Sequence, residues 1–462
     1  MKILIKLLFV IVFPLQFIYS QPLDSLWMHY YSGFRANDII QKYDSGYFVV
    51  GSSGGNGDSP HIASISKDGQ LLWDKQFPTP DYIYDRFRNI ITSSDSNYLV
   101  GGGYNGLAWL LKMNGEGDTL WTKSFGESFG MITSMEELPN KDLIITGYPA
   151  NYSEDFYLMK TNQYGDTIWS HKYIFEDPFH WVTSQCVKQT SDSGYIISAY
   201  YSGGYGGSYL IIVKTDSNGD TLWTKDSMYE LDVHYGYFPE ILIDHDTIYF
   251  FGEGSLQNGE GVNVIKLKPE GFEYWLIKEY NNGSGPFCTG TFTNSGTIML
   301  AAELYSNNQY RIGTIEIDKN GNILWEKILG DYGVSYDTRQ IVETFDNGYI
   351  ISGNDYRAFL LKIGEKPSAV KNIKTPNLNG FVVSPNPVTT NTTVDFKIFE
   401  KDFYTISVFD LKGNKIKILV EKELAPGSYK YPLSPGDLSN GVYMISLKSG
   451  SFQNTQKIVI SR

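Results

Sequence analysis

The chain has 462 residues, a formal net charge of −13 from 38 basic and 51 acidic side chains, and an aromatic content dominated by 35 Tyr. An acidic balance of this size supplies no basic stripe for nucleic-acid phosphates, so no nucleic-acid partner is expected, and its plain reading is solubility. The two cysteines, Cys186 and Cys288, cannot scaffold so long a chain, and because they fall two repeat units apart they read as buried free thiols.

The N-terminus begins with Lys2 and Lys6, continues with an apolar run from Leu7 to Ile18, and offers a cleavage point at Tyr19-Ser20 before Gln21. Residues 1–20 therefore read as a secretory signal peptide. That apolar run is short for a membrane span and no later stretch reaches the required length.

Beyond the signal, one pattern sets the period. Gly117-Asp118-Thr119-Leu120-Trp121 recurs as Gly165 to Trp169, Gly219 to Trp223 and Gly321 to Trp325, more loosely as Gly69 to Trp73 and Gly271 to Trp275. A further Trp, in Asp24-Ser25-Leu26-Trp27, keeps the ending without the Gly. Trp residues recurring at intervals of about 50 positions mark stacked structural units of the propeller or solenoid kind. Within each unit, short runs of Ile, Val, Tyr and Trp alternate with Asx-Gly turns, as in Ser191-Asp192-Ser193-Gly194 and Asp216-Ser217-Asn218-Gly219. Four short antiparallel strands per unit are the grammar of a propeller blade.

The last unit ends at Phe359-Leu360-Leu361-Lys362 without its Trp strand, and the chain starts with an orphan Trp strand, Asp24 to Tyr31. The expected fold is all-β: a seven-bladed propeller over residues 21–364, closed by that N-terminal strand. A six-bladed ring with a stray strand is the alternative. Residues 365–376 read as a linker, and residues 377–462 carry seven more short strands, read as a small Ig-like β-sandwich.

That sandwich resembles the type A C-terminal sorting domain of proteins exported by the type IX secretion system. The matching residues are Ser384-Pro385-Asn386-Pro387, Ser407 to Asp410 followed by Lys412-Gly413, Leu438 to Tyr443, and Lys457 to Arg462. The resemblance implies that Pro385, Asn386, Pro387, Gly441, Tyr443, Lys457 and Arg462 belong to the sorting signal. It also implies the type IX machinery as partner and a secreted or outer-surface location. The repeats are similar, in their Gly and Trp alone, to the tryptophan-docking pattern of quinoprotein-type propellers, which implies a Trp packed between adjacent blades. The cofactor and calcium ligands of the catalytic quinoproteins have no counterpart here, so no cofactor and no metal are expected. Asp-Thr-Leu, Asp-Thr-Ile and Asp-Ser-Leu also resemble a short bacterial O-glycosylation acceptor, at Thr119, Thr221, Thr167 and Ser25, although turn and strand propensity alone yields the same residues.

Up-and-down connectivity places the first and third turns of each blade, both stereotyped, at one end. The second loops and the blade-to-blade connections, expected to be long and varied, fall at the other, where binding residues concentrate. Candidate ligand-binding residues there are Tyr84, Asp85, Arg86, His180, Trp181, His234, Tyr235, Tyr332 and Asp337, because aromatic faces stack on sugar rings while neighbouring polar groups meet hydroxyls. Acids at this end, Asp85, Asp177, Asp232 and Asp337, leave room for a paired-carboxylate glycosidase. No nucleophile elbow, phosphate loop or metal-spaced His pair accompanies them. The expected function is a secreted or surface-attached binding module for a polysaccharide or a protein. A polysaccharide-processing enzyme and a passive surface protein are the alternatives.

Overall fold

The structure, a computed structural model, describes residues 23–53, 59–78, 85–126, 129–149, 155–175, 181–202, 208–226, 233–256, 259–269, 271–279, 288–306, 309–330, 336–364, 381–389, 392–398, 401–410, 415–434, 436, 438–449 and 452–461. The signal segment 1–20 and the linker 365–376 lie outside them. Contacts divide the chain into two compact units, Met1–Lys366 and Pro367–Arg462.

The first unit is a ring of seven four-stranded antiparallel sheets, six of them taken in chain order from an inner to an outer strand. Inner strands are Phe34–Gln41, Phe87–Thr92, Met131–Glu137, Trp181–Gln189, Val233–Asp244, Cys288–Phe292 and Asp337–Glu343. In blade seven the outer strand is Asp24–Tyr31, which pairs antiparallel with Ala358–Gly364, from Asp24↔Gly364 to Tyr31↔Ala358. A hydrophobic cluster joins Phe34, Ile39 and Val49 of blade one to Ile350 and Leu360 of blade seven, with Tyr31 between them. The seven-bladed reading and the closing strand both hold.

Burial explains the composition of each strand. Tyr47–Ser53 and Pro60–Ile65, the middle strands of blade one, are buried along their whole length, because neighbouring blades cover both faces. Outer strands of the first blades are mostly exposed apart from their Trp, as in Leu71–Gln76 and Thr119–Ser124. Each Trp reaches across to the next blade. A Cβ added to Gly117 would lie 2.2 Å from the Trp73 ring and one at Gly321 2.6 Å from that of Trp275, while Gly69, Gly165 and Gly219 face Trp27, Trp121 and Trp169 beside the nearer side chains of His29, Lys123 and His171. The same docking at Trp27 serves the seam where the ring closes.

At the stereotyped end the turns are pinned by a recurring ion pair. Lys112 meets Asp95 at 2.7 Å, Lys214 meets Asp192 at 2.8 Å and Lys362 meets Asp346 at 2.7 Å, each joining a third strand to the first turn of its own blade. Burial opposes ionisation of Asp95 and Asp192, yet the hydrogen-bonded ammonium groups hold both carboxyls down to about 2. The Asx-Gly turns bind their own backbone: Asp216 accepts from the amides of Asn218 at 2.8 Å and Asp220 at 2.9 Å.

The other end departs from expectation in two places. Residues expected as loops continue as strand, because the hairpins of blades four to six extend outward: Tyr195–Ser202, Thr247–Leu256 and Ile298–Ser306. The connection expected from Tyr229 to Phe238 is already strand from Val233. In blades two and seven the second loop is a tight turn, at Asn105-Gly106 and at residues 355–357.

The second unit packs a three-stranded sheet and the four-stranded sheet containing Asp402–Phe409 and Phe452–Ile460 around one core that includes Phe396, Ile406, Val408, Ile445 and Ile458. Asn386 ties the start of this domain to its last strand, donating to the Lys457 carbonyl and accepting from the Val459 amide, both at 2.8 Å. Pro385 and Pro387 flank it, while Tyr443 donates from its hydroxyl back to the Ser439 carbonyl at 3.2 Å across the turn before Gly441. Lys457 is exposed on the last strand, and Arg462 lies outside the described residues.

Candidate functional site

The seven inner strands enclose a central cavity of about 500 Å³ whose lining includes Asp38, Arg88, Lys188, Glu240 and Arg339. Bulges shift the register of six inner strands, between Ala36 and Asp38, Phe87 and Asn89, Ile132 and Ser134, Ser184 and Cys186, Tyr237 and Glu240, and Thr338 and Gln340. Such insertions re-aim side chains out of simple alternation. The polar residues after the bulges bind across the blade seams. Asp38 accepts from Asn89 Nδ2 at 2.8 Å and from the Ile90 amide at 2.9 Å, Asn89 Oδ1 from the Met135 amide at 3.0 Å, and Glu240 from the Gly290 amide at 2.9 Å.

The charges in this belt are perturbed. Burial pushes the Asp38 carboxyl up to about 7 against the pull of the amides of Ile90 and Ile39 and of Asn89. Glu240 is also raised by burial, against bonds from Thr289 and Gly290 and the charge of Lys188. Thr289 Oγ1 donates to Glu240 at 2.5 Å and lies 2.7 Å from Gln340 Oε1, which accepts from the Ile341 amide at 2.9 Å. Burial works to discharge Lys188, but Cys186 and the facing acids Glu136, Glu240 and Asp38 outweigh it and hold its pKa above the ordinary value.

A pH dependence follows. A carboxyl with a folded pKa above its unfolded value stabilises the fold fully below the unfolded value and loses that contribution as pH rises through the folded one. For Asp38 the window runs from 3.8 to about 7, with Glu240 acting in the same direction. The propeller should therefore melt lower at pH 8.5 than at pH 5.5, and Asp38→Asn should flatten that slope while lowering the plateau, since one amide oxygen cannot serve donors on both carboxylate oxygens. Calorimetry at the two pH values checks it.

At the variable end, the turn joining the second and third strands of blade seven stands out. Asp355 holds Arg357 by two bonds, to Nε at 3.2 Å and to Nη2 at 2.7 Å. The guanidinium also lies over the Tyr30 ring, 4.4 Å from its centroid, and the Tyr30 hydroxyl meets that of Tyr336 at 3.0 Å. Between these two residues Tyr356 is 90% exposed and takes a left-handed φ of 83°, an uncommon and costly backbone for a bulky side chain. Asn354 fastens the turn to blade one, accepting from the Ala36 amide at 2.8 Å and donating to the Ala36 carbonyl at 2.9 Å.

The residues expected to bind ligand are partly dispersed. Asp85 is buried and caps the Asn105-Gly106 turn, accepting from their amides at 2.5 and 3.2 Å, and burial raises its pKa. Arg86 follows it at the start of blade two, half-buried. Trp181 opens the inner strand of blade four and is 57% exposed. Asp337 opens the inner strand of blade seven and pairs with Arg339; burial raises its pKa against the charges of Arg339 and Arg35. His234 and Tyr235 lie in the inner strand of blade five, their side chains outside the described residues, as are Tyr84, His180 and Tyr332 altogether and the acids Asp177 and Asp232. The channel belt, Tyr356, Arg357 and Arg35 were not among the expected sites. Polar pairs inside otherwise apolar first strands, such as Asn37-Asp38, Arg88-Asn89 and Arg339-Gln340, were the available signal for the belt. Among the described residues no group of three His, Cys, Asp or Glu side chains is placed to hold a metal.

Fold and tail together define an exported β-propeller with a C-terminal sorting domain. Residues 382–461 match the family model described as the secretion system C-terminal sorting domain, which indicates export across the outer membrane to a secreted or cell-surface location. Compared by sequence with curated proteins, the chain matches none. Among solved structures it is similar to a polysaccharide lyase of family PL25, an ulvan lyase bound to -[GlcA(1-4)Rha3S]-, at 9% identity and TM-score 0.51, covering 73% of this chain and 96% of that one. The same enzyme without that ligand in its description gives 10% identity, TM-score 0.51 and the same coverage. Drosophila Plexin A in complex with Semaphorin 1b gives 9% identity and TM-score 0.41, covering 74% and 87%. At these identities the lyase likeness shows the propeller fold alone.

Proposed function

We propose that the propeller is an extracellular module that binds a polysaccharide at its variable end without cleaving it. The observation that carries this reading is Tyr356, a 90% exposed aromatic ring held out by a strained, side-chain-locked turn. Backbone strain persists where the surroundings over-determine it, and an immobilised, solvent-facing ring offers an apolar plate to a sugar face at little entropic cost. Trp181, exposed on blade four, is a second such plate. Of the candidate acids, Asp85 is spent on a turn and Asp337 is paired with Arg339, an arrangement that favours binding over the paired acid and base chemistry of hydrolysis.

Purified full-length chain should retain on one or more members of a polysaccharide array. Tyr356→Ala should weaken that binding up to about tenfold, in line with the ~0.5–1.5 kcal/mol such a contact contributes, with an unchanged melting temperature. Release of oligosaccharides from the bound polymer, or full binding by a Tyr356→Ala, Trp181→Ala double variant, would count against the proposal.

A further inference from the structure

All six arginines of the propeller, Arg35, Arg86, Arg88, Arg311, Arg339 and Arg357, lie toward the variable end. Arg35, Arg88 and Arg339 sit near the starts of the inner strands of blades one, two and seven, and Arg86 just precedes that of blade two. Arg357 is in the second-loop turn of blade seven, and Arg311 of blade six donates to the Gly330 carbonyl in the connection to blade seven at 3.0 Å. Because the ring closes between blades seven and one, these positions form one arc over blades six, seven, one and two. Lys112, Lys214 and Lys362 are used differently, clamping turns at the opposite end.

From this segregation we propose that the polysaccharide is acidic, its uronate carboxylates or sulfate esters taken by the arginine arc while Tyr356 stacks on an adjacent ring. The inference rests on the polysaccharide reading above. A planar guanidinium presents a fork matched to carboxylate and sulfate oxygens, which an ammonium does not. Several of these forks are set in place: Arg357 by Asp355 and the Tyr30 ring, Arg339 by Asp337, Arg311 by a carbonyl. Arg35 is exposed beside the Ala36 backbone that holds the Tyr356 turn. Across blades seven, one and two the arc places Arg35, Arg86, Arg88, Arg339 and Arg357 against Asp85, Asp337 and Asp355, with Asp38 raised by burial. Among the described residues of these inner strands and turns the balance is positive, in a chain whose net charge is −13. That overall charge disfavours a long polyphosphate, which would extend over the acidic surroundings.

Affinity electrophoresis of the full chain in gels cast with polygalacturonate, chondroitin sulfate, mannan or laminarin tests this. Expected is retardation by an acidic polymer at least about tenfold stronger than by either neutral one, weakening with added salt. Arg35→Gln and Arg357→Gln should each reduce it about fivefold or more, while Lys123→Gln on an outer strand leaves it unchanged, all three melting as the parent does. If Arg357→Gln melts lower, Arg35→Gln alone decides. Equal retardation by mannan or laminarin, unaffected by the arginine variants, overturns the acidic ligand and leaves the polysaccharide reading standing. No retardation by any polymer, with binding to an acidic protein instead, overturns both.

Discussion

Removal of residues 23–31 should abolish the cooperative melting transition of the propeller. This strand contributes the outer edge of blade seven through register pairs from Asp24↔Gly364 to Tyr31↔Ala358. It also reaches both neighbouring blades: Asp24 forms an ion pair with Lys327 of blade six, Trp27 packs on Gly69 of blade one, and the buried Tyr31 donates to the Gly69 carbonyl at 2.8 Å. Ladder bonds contribute about 1 kcal/mol each, and truncating a packed Trp or Phe costs about 3–5 kcal/mol. Their sum rivals the ~5–15 kcal/mol by which a domain is stable at all. Loss of the strand also exposes the edge of Ala358–Gly364, which invites association with other chains. Calorimetry on the truncated chain, beside one cut only to residue 22, measures it, and superimposable transitions would show that the ring does not depend on this closure.

The same strand shows what the sequence could and could not reveal. Its Asp-Ser-Leu-Trp ending was legible because the outer-strand pattern is local, a turn followed by a Trp, and recurs in every unit. The inner strands carry no such local mark. Asp38 is fixed by an amide at Ile90 and Glu240 by an amide at Gly290, partners that exist only once blades stand side by side. Bulges compounded this by breaking the period-two alternation on which strand reading depends. Tyr356 was missed for a different reason: Asn354-Asp355-Tyr356-Arg357 reads as an ordinary polar turn, and the left-handed φ that pushes the ring outward is set by the Asp355–Arg357 lock. Asp85 shows a structural role that its sequence setting did not reveal. An acid next to an Arg in a variable connection suggested ligand contact, whereas its carboxylate closes a hairpin twenty residues further on, at Asn105.

Replacing Gly117 by Ala should destabilise the propeller by about 2–4 kcal/mol, and about half of that penalty should vanish when Trp73 is also replaced by Ala. The usual account of a turn glycine, its positive φ, is insufficient here. First turns adopt the same left-handed step with Ser45, Ser96, Lys141, Ser193 and Asn347 at φ values of 69°, 67°, 71°, 66° and 59°. A side chain there costs about 1–2 kcal/mol, and the fold accepts it repeatedly. Third turns hold Gly69, Gly117, Gly165, Gly219 and Gly321 in the equivalent place. What differs is the neighbour: an added Cβ at Gly117 would sit 2.2 and 2.3 Å from two carbons of the Trp73 ring, a distance that forces one blade away from the next. In the Trp73→Ala background only the left-handed cost should remain, so the double variant should be more stable than the two single losses predict. Gly115→Ala, which meets nothing within 4 Å, should be close to neutral. Denaturant titration of the four proteins measures the coupling, and an equal penalty for Gly117→Ala in both backgrounds would assign the glycine to the turn. The seam between blades four and five supplies an internal comparison. Gly271, at φ 142°, has no atom within 4 Å of a built Cβ, so Gly271→Ala there should cost only its backbone strain.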